Sequence, residues 1–479
     1  MCKKYNYSLR PAGRWAGPMV ALLLAGCAST QVPPQPLALD ARLQAFKTQA
    51  PEADATAVAA PAADDRWWTA FADPVLDQLV DQASTSNTDI RIAAARLAQT
   101  QALASQTGAA RQPQLGLGAG AVRQQGPLVN AAGTEGTLFT AAATLSYEVD
   151  VLGRLAQAGD AAALDAQQRQ SLLESARLLT QAQVVQTYVA LRALDADMDL
   201  LRHSLALDRQ SLRIQAYRLQ SGALSELEYE RLQGAATGQT LETQRLQQRR
   251  DELENTLAVL LGQAASEFRL DRTDAPDWVT GQRALPAVRA GLPSTVLQRR
   301  PDIAAAQAAV LAGQKRLGVT QSAWFPSLSL TGTTGFASAE LSTLVAASMQ
   351  TWAFGVLANL PVFDGGRRQA GIAMADAELS AAVASYHQHL LQALREVEDQ
   401  LSAQRLLAQQ NAALERMQGS AARASELSQA RFDSGSISQL DWLEVQRREL
   451  QGRRQLVQLR AARCQATTGL VRALGGGWN

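Results

Sequence analysis

The chain has 479 residues, with 45 Lys+Arg against 44 Asp+Glu and aromatics at only 5%. So even a balance gives no net basic face, which argues against a nucleic-acid binder. The abundance of Ala, Gln, Leu and Arg is a long-helix composition, and three cysteines without a CxxC pair give neither a disulfide framework nor a zinc site.

Lys3, Lys4, Arg10 and Arg14 precede a short apolar run, Met19 to Ala25. That run is too short to span a bilayer, so residues 1–26 read as a signal peptide. The run ends in Leu24-Ala25-Gly26-Cys27, which resembles the lipobox of bacterial lipoproteins, in which the cysteine is the lipidated first residue of the mature chain. Residues 27–65, with Pro33, Pro34, Pro36, Pro51 and Pro61, read as an extended tether behind a lipid anchor.

From Asp73 to about Arg111 the sequence predicts one helix. Between Arg111 and Glu148 the only charges are Arg123 and Glu135. The segment opens Gln112-Pro113-Gln114-Leu115-Gly116-Leu117, whose alternation marks a strand with two unlike faces, and it closes on a second strand into Tyr147-Glu148-Val149. Residues 113–149 are therefore a predicted β-hairpin. No proline occurs between Pro127 and Pro276, which permits unbroken helix from Arg154 onward. Val184, Leu191, Leu194, Met198, Leu201 and Leu205 keep three- and four-residue steps, the spacing of a coiled-coil seam. From Arg154 to Ser221 such a helix would run roughly 100 Å. Gly222 then marks a turn, and a returning helix completes a coiled coil over 154–262.

After a linker over 266–291 the same plan begins again. An offset of 213 residues aligns Asp89-Ile90 with Asp302-Ile303, Ala93 with Ala306, Pro113 with Pro326 and Gly153-Arg154 with Gly366-Arg367. It also aligns Arg218, Ser221, Gly222, Ser225 and Leu227 with Arg431, Ser434, Gly435, Ser438 and Leu440, and Leu261-Gly262 with Leu474-Gly475. Turn residues and helix breakers in one constant register establish an internal duplication. The first repeat spans 66–265 and the second 292–479. The second holds a helix from Pro293 to about Ala323, a hairpin over 326–363 running into Leu360-Pro361-Val362-Phe363, and a coiled coil over 367–474. The fold class is mainly α with a membrane β part, in two tandem copies of helix, β-hairpin and long coiled-coil helices. Alternating strands of about ten residues suit a transmembrane barrel. Four strands cannot close one around a pore, and open edges cannot face lipid, so membrane strands would require an oligomer.

Leu24-Ala-Gly-Cys27, Trp67-Trp68 before Phe71, Arg299-Arg300-Pro301-Asp302-Ile303, Phe325-Pro326-Ser327-Leu328, Phe363-Asp364-Gly365-Gly366-Arg367, Arg431-Phe432-Asp433-Ser434-Gly435 and Leu474-Gly475-Gly476-Gly477-Trp478 together resemble the TolC-like outer membrane factors, in the lipoprotein branch of the NodT type. The resemblance covers essentially the whole mature chain. It implies a homotrimer whose protomers share one twelve-stranded barrel and a periplasmic α-helical tunnel, without catalytic activity. It implies docking to a periplasmic membrane-fusion adaptor and an inner-membrane pump of the resistance–nodulation–division class. Cys27 would carry covalent lipid, and no other cofactor is implied. Gly222 and Gly435, flanked by Arg218, Ser221, Arg431 and Ser434, would form the adaptor-contacting tips. Asp441 and Glu444, with Glu228 in the first repeat, would line the periplasmic aperture as rings of carboxylates. On helix spacing alone the same acids read as a solvated face. The family's aromatic locks are not matched: Phe432 stands where an aromatic is expected, but no partner is legible.

Two other readings remain open from the residues: a lipid-anchored coiled-coil scaffold without a pore, and the outer-membrane duct of a type I secretion system. No Gly-rich phosphate loop, GxSxG elbow or HExxH is present to suggest an enzyme. His387 and His389 are two apart and diverge on a helix, so no metal site is expected. Met198, Met349, Met374 and Met417 are scattered, which favours organic cargo over copper.

Overall fold

A computed structural model describes residues 46–47, 66–125, 135–272, 276–281, 283–286, 288 and 299–476. In chain order the principal elements are α1 (Pro74–Ser86), α2 (Thr88–Ala109), β1 (Gln114–Gln125), β2 (Glu135–Val149), α3 (Arg154–Gln220), α4 (Glu226–Leu260), α5 (Pro301–Gln321), β3 (Ser327–Ser338), β4 (Gln350–Asn359), α6 (Arg367–Asp433) and α7 (Gln439–Leu474). Helices α3 and α6 have 67 residues each. Among the described residues, no helix is long and apolar enough to cross a membrane. The lipobox, most of the tether and the turn of the first hairpin lie outside the described residues.

The chain divides into two compact units. One comprises Gln99–Gln167 and Ala308–Ala384 among its described parts and carries the sheet. Its four strands form a single antiparallel sheet in the order β1-β2-β3-β4. The two predicted hairpins are thus joined edge to edge through β2 and β3, from Phe139 opposite Ser338 to Val149 opposite Leu328. Strand β4 stops at Asn359, short of the predicted run into Phe363. Pro361 has no N–H to give a ladder, so the strand ends before it.

The other unit comprises Leu37–Ala98, Gln168–Gln307 and Ser385–Asn479. Its core gathers Trp67, Trp68 and Phe71 with Leu76 and Val80 of α1, Val184, Tyr188 and Leu191 of α3, Leu257 of α4, Val397 and Leu401 of α6, and Leu470 of α7. The predicted seam is largely inside it: Val184, Leu191, Met198, Leu201 and Leu205 are buried. Leu194 is half-buried instead. Among the described residues of the inter-repeat linker, Phe268, Trp278, Val279 and Val288 join the core. Phe46 also packs against it, so the tether touches the helical body.

The single helix expected from Asp73 to Arg111 is two helices. Asn87, extended at ψ 132°, breaks it. Its Oδ1 accepts from the N–H of Asp89 and of Ile90, capping α2, and its Nδ2 donates to the carbonyl of Leu260 at 2.9 Å. The duplicate position is Arg300, whose Nη1 donates to the carbonyl of Ala473, the duplicate of Leu260, at 3.0 Å. The duplication therefore extends to tertiary hydrogen bonds that no sequence identity announces. Burial disfavours charge on Arg300, but Asp302 and Glu396 outweigh it and raise its pKa. In the second repeat the described helix begins at Pro301; residues 289–298 lie outside the described residues.

Candidate functional site: a two-faced sheet and paired helical turns

Register decides what the sheet can do. Leu115 and Leu117 of β1 stand opposite Leu145 and Ala143. Leu145 and Ala143 stand opposite Gly332 and Thr334, which pair with Phe354 and Trp352. Leu330 and Val356 continue the same face. The alternate positions carry Gly116, Gly118 and Gly120, then Thr144 and Thr140, then Ser329, Thr331 and Thr333. One face is thus mainly apolar and the other mainly small or polar, with Val122, Leu138 and Leu357 the exceptions on it, as a barrel wall between lipid and water requires. The apolar side chains are bare in the protomer: Leu117 is 87% exposed, Trp352 78% and Phe354 67%. From Leu328 to Phe336 the face covers about 27 Å of strand; at a tilt of about 40° that is about 20 Å, near the height of a membrane barrel's apolar band. Arg123 and Glu135, paired at 3.1 Å, close the hairpin at its far end. Strands β1 and β4 each leave one edge unpaired within the protomer, and such edges are not tolerated in lipid.

In the other unit, two helical turns repeat in detail. Gly222 (φ 74°) and Gly435 (φ 73°) take the left-handed conformation that glycine adopts without strain. Gly222 N–H donates to Leu219 O and Ala223 N–H to Arg218 O; Gly435 and Ser436 do the same to Phe432 and Arg431. This pair of bonds is the Schellman closure of a helix end. Ser221 Oγ donates to Arg218 O, and Ser434 Oγ to Arg431 O. Arg218 and Arg431 sit in the last turns, where a cation suits the helix dipole, and both side chains are exposed. The predicted tip residues therefore meet at two exposed turns, where the serines work as caps.

Two of the predicted aperture acids have a local occupation. Glu228 is the third residue of α4 and Asp441 of α7, and each closes a capping box with Ser225 or Ser438. Glu228 Oε2 accepts from Ser225 Oγ at 3.0 Å, and Asp441 Oδ2 from Ser438 Oγ at 2.7 Å. Glu444 is held by Arg447 at 2.6 Å and Arg448 at 3.1 Å. None of the three is a bare carboxylate in the protomer. The aromatic missing from the sequence pattern is Trp442. Its ring stacks on Phe432 with centroids 4.9 Å apart and planes 7° from parallel, clamping the two limbs of the second turn. The first turn has Leu219 and Tyr229 at the duplicate positions. Separation by ten residues across a turn is the signal that could have found the pair.

Cys464 is fully buried and its thiol is pushed up to about 12 by burial, so it is a packed, unreactive side chain. Among the described residues no cluster of His, Cys, Asp and Glu could hold a metal ion.

A model of the family described as outer membrane efflux protein matches residues 79–263 and 292–476, two stretches displaced by the same 213 residues. Outer membrane protein OprJ of Pseudomonas aeruginosa is 31% identical over 419 residues, 86% of each chain. The pyoverdine export outer membrane protein OpmQ of the same species is 32% identical over 482 residues, 95% of each chain. The solved outer-membrane channel OprN superposes with a TM-score of 0.78 at 26% identity, covering 92% of this chain and 99% of the other.

Proposed function

This chain belongs to the outer membrane efflux protein family, and on that footing we propose that it works as a homotrimer, lipid-anchored through Cys27, that ducts small organic solutes outward from a periplasmic adaptor and an inner-membrane pump. That it is a channel component of outer-membrane efflux follows from the family itself. The observation that carries the trimer is the sheet: among the described residues it has four strands, an apolar face and two unpaired edges. Closing β4 of one copy on β1 of the next removes both edges, and three copies give twelve strands, enough to leave a lumen. Its wall would present Gly, Ser and Thr inward, with little chemistry to select cargo. Selection then belongs to the pump.

Purified full-length protein in detergent is expected to have three times the protomer mass and to conduct ions in planar bilayers; a monomer without conductance sinks the proposal. For the anchor, the lipobox is the support. Metabolic labelling with a radioactive fatty acid is expected to mark the wild type and not Cys27→Ser, and persistent labelling of the variant removes Cys27 from the role.

A further inference from the structure

Two acids of α3, Asp197 and Asp208, face α7, and their surroundings differ. Asp197 of α3 is buried and fully served: Arg454 reaches it through Nε and Nη2, and Gln458 Nε2 donates to Oδ2 at 3.1 Å. Eleven residues along α3, Asp208 faces a small cleft of about 100 Å³ whose apolar lining includes Leu440 and Leu443. Its Oδ2 is inaccessible to solvent and has no hydrogen-bond partner among the described residues. The amide oxygen of Gln239, from α4, lines the same cleft and is likewise without a donor. The guanidinium that could have served Asp208 is Arg447, but it is bound to Glu444 on its own helix at 2.6 Å.

Two acceptor oxygens in one cleft cannot bond to each other unless one gains a proton. A carboxyl group can do this; an amide at ordinary pH cannot. We propose that Asp208 is a proton-operated latch on the α7 seam. Protonated, it donates to Gln239 Oε1, carries no charge of its own, and lets α7 pack closely on α3 and α4. Ionised, it keeps a buried Oδ2 with charge and without a donor, and the seam loosens.

The charged groups around it fix the sign. Burial raises the Asp208 pKa above the ordinary aspartate value; Arg447 of α7 lowers it and Glu444 of α7 raises it further. Helix α4 contributes no charged side chain to the lining. A carboxyl raised in the closed seam favours that seam when protonated, so closure strengthens on acidification and is lost as pH rises through the raised value. Tightening or loosening α7 moves Glu444 with it, so the latch would throttle the duct; that consequence alone rests on the channel reading above.

The test is backbone amide hydrogen exchange of the full-length protein in detergent over residues 439–448, corrected for the chemical pH dependence of exchange. One linked proton changes the closed-to-open ratio by up to about tenfold per pH unit. Wild-type protection is therefore expected to fall as pH rises from about 4, the ordinary aspartate value, through the raised value, while Asp208→Asn, which keeps the shape without the charge, stays protected and flat. Gln239→Leu removes the acceptor and is expected to move the midpoint to lower pH. Matching wild-type and Asp208→Asn profiles overturn the latch. So does an upward shift in Gln239→Leu, which would mean that the amide had been donating to an ionised Asp208. Protection of residues 456–474 reports whether each variant is folded. Single-channel conductance over the same range separates the two readings: an exchange transition without any conductance counts against the channel and leaves the latch standing.

Discussion

Glycines at helix ends show how one residue type can be held by two different constraints. Gly222 and Gly262 share a positive φ, 74° and 69°. A Cβ at Gly222 would meet open space, whereas at Gly262 it would lie 2.5 Å from the carbonyl oxygen of Ser86. The duplicate Gly475 is in the same position against Arg299 O at 2.9 Å. Gly222→Ala is therefore expected to cost only the backbone strain, about 1 kcal/mol, and Gly262→Ala roughly 2–4 kcal/mol, because a backbone atom must also move. Thermal unfolding of both variants in detergent checks the order, and equal midpoints would refute it. Both positions were legible in the sequence as helix stops; which of them is pressed against a neighbour was not, because the neighbour is 176 residues away. Glu228 and Asp441 teach the complementary lesson. Ser at the cap and an acid three residues later is itself a sequence signature, and the structure uses both acids that way.

At the scale of elements, the sheet is where alternation becomes function. The period of two was readable in each strand separately, but the pairing of β2 with β3, which merges two hairpins into one wall, was not. Register puts Leu117 on the apolar face and its neighbour Gly118 on the small one. Leu117→Arg is expected to destabilise the assembled barrel by roughly 2–4 kcal/mol at mid-membrane, while Gly118→Arg, with nothing within 4 Å of its Cβ, assembles normally. Resistance of the oligomer to heating in SDS distinguishes them, and similar losses in both would mean that the faces are assigned wrongly. The break at Asn87 is the element that pattern reading missed. Apolar spacing runs straight through it; Asn87 caps the second helix through its Oδ1 and ties the break to the Leu260 carbonyl through its Nδ2.

For the molecule as a whole, the acids near the turns gain a role beyond capping and pairing only if symmetry brings copies together. In one protomer Glu444 is neutralised by two arginines and Asp441 is tied to Ser438; three copies around an axis would still place carboxylates in rings that favour cations. Replacing Asp441 and Glu444 together by Ala is expected to raise single-channel conductance and weaken cation selectivity, measured in planar bilayers. Unchanged values would return both residues to capping and surface pairing. The sequence by itself determined the duplication, the two-faced strands, the long proline-free helices and the places where they turn, because each is written in local periodicity or in a residue with unusual backbone freedom. It also carried the family, through breakers and turns held in one register. Only the tertiary structure decided that the four strands make one sheet, that Trp442 stacks on Phe432, that Phe268, Trp278, Val279 and Val288 join the core, and that Asp208 Oδ2 and Gln239 Oε1 line one cleft with neither hydrogen-bonded. These are distances between residues far apart or out of phase in sequence, and nothing local encodes which of many apolar or polar partners a folded chain brings together.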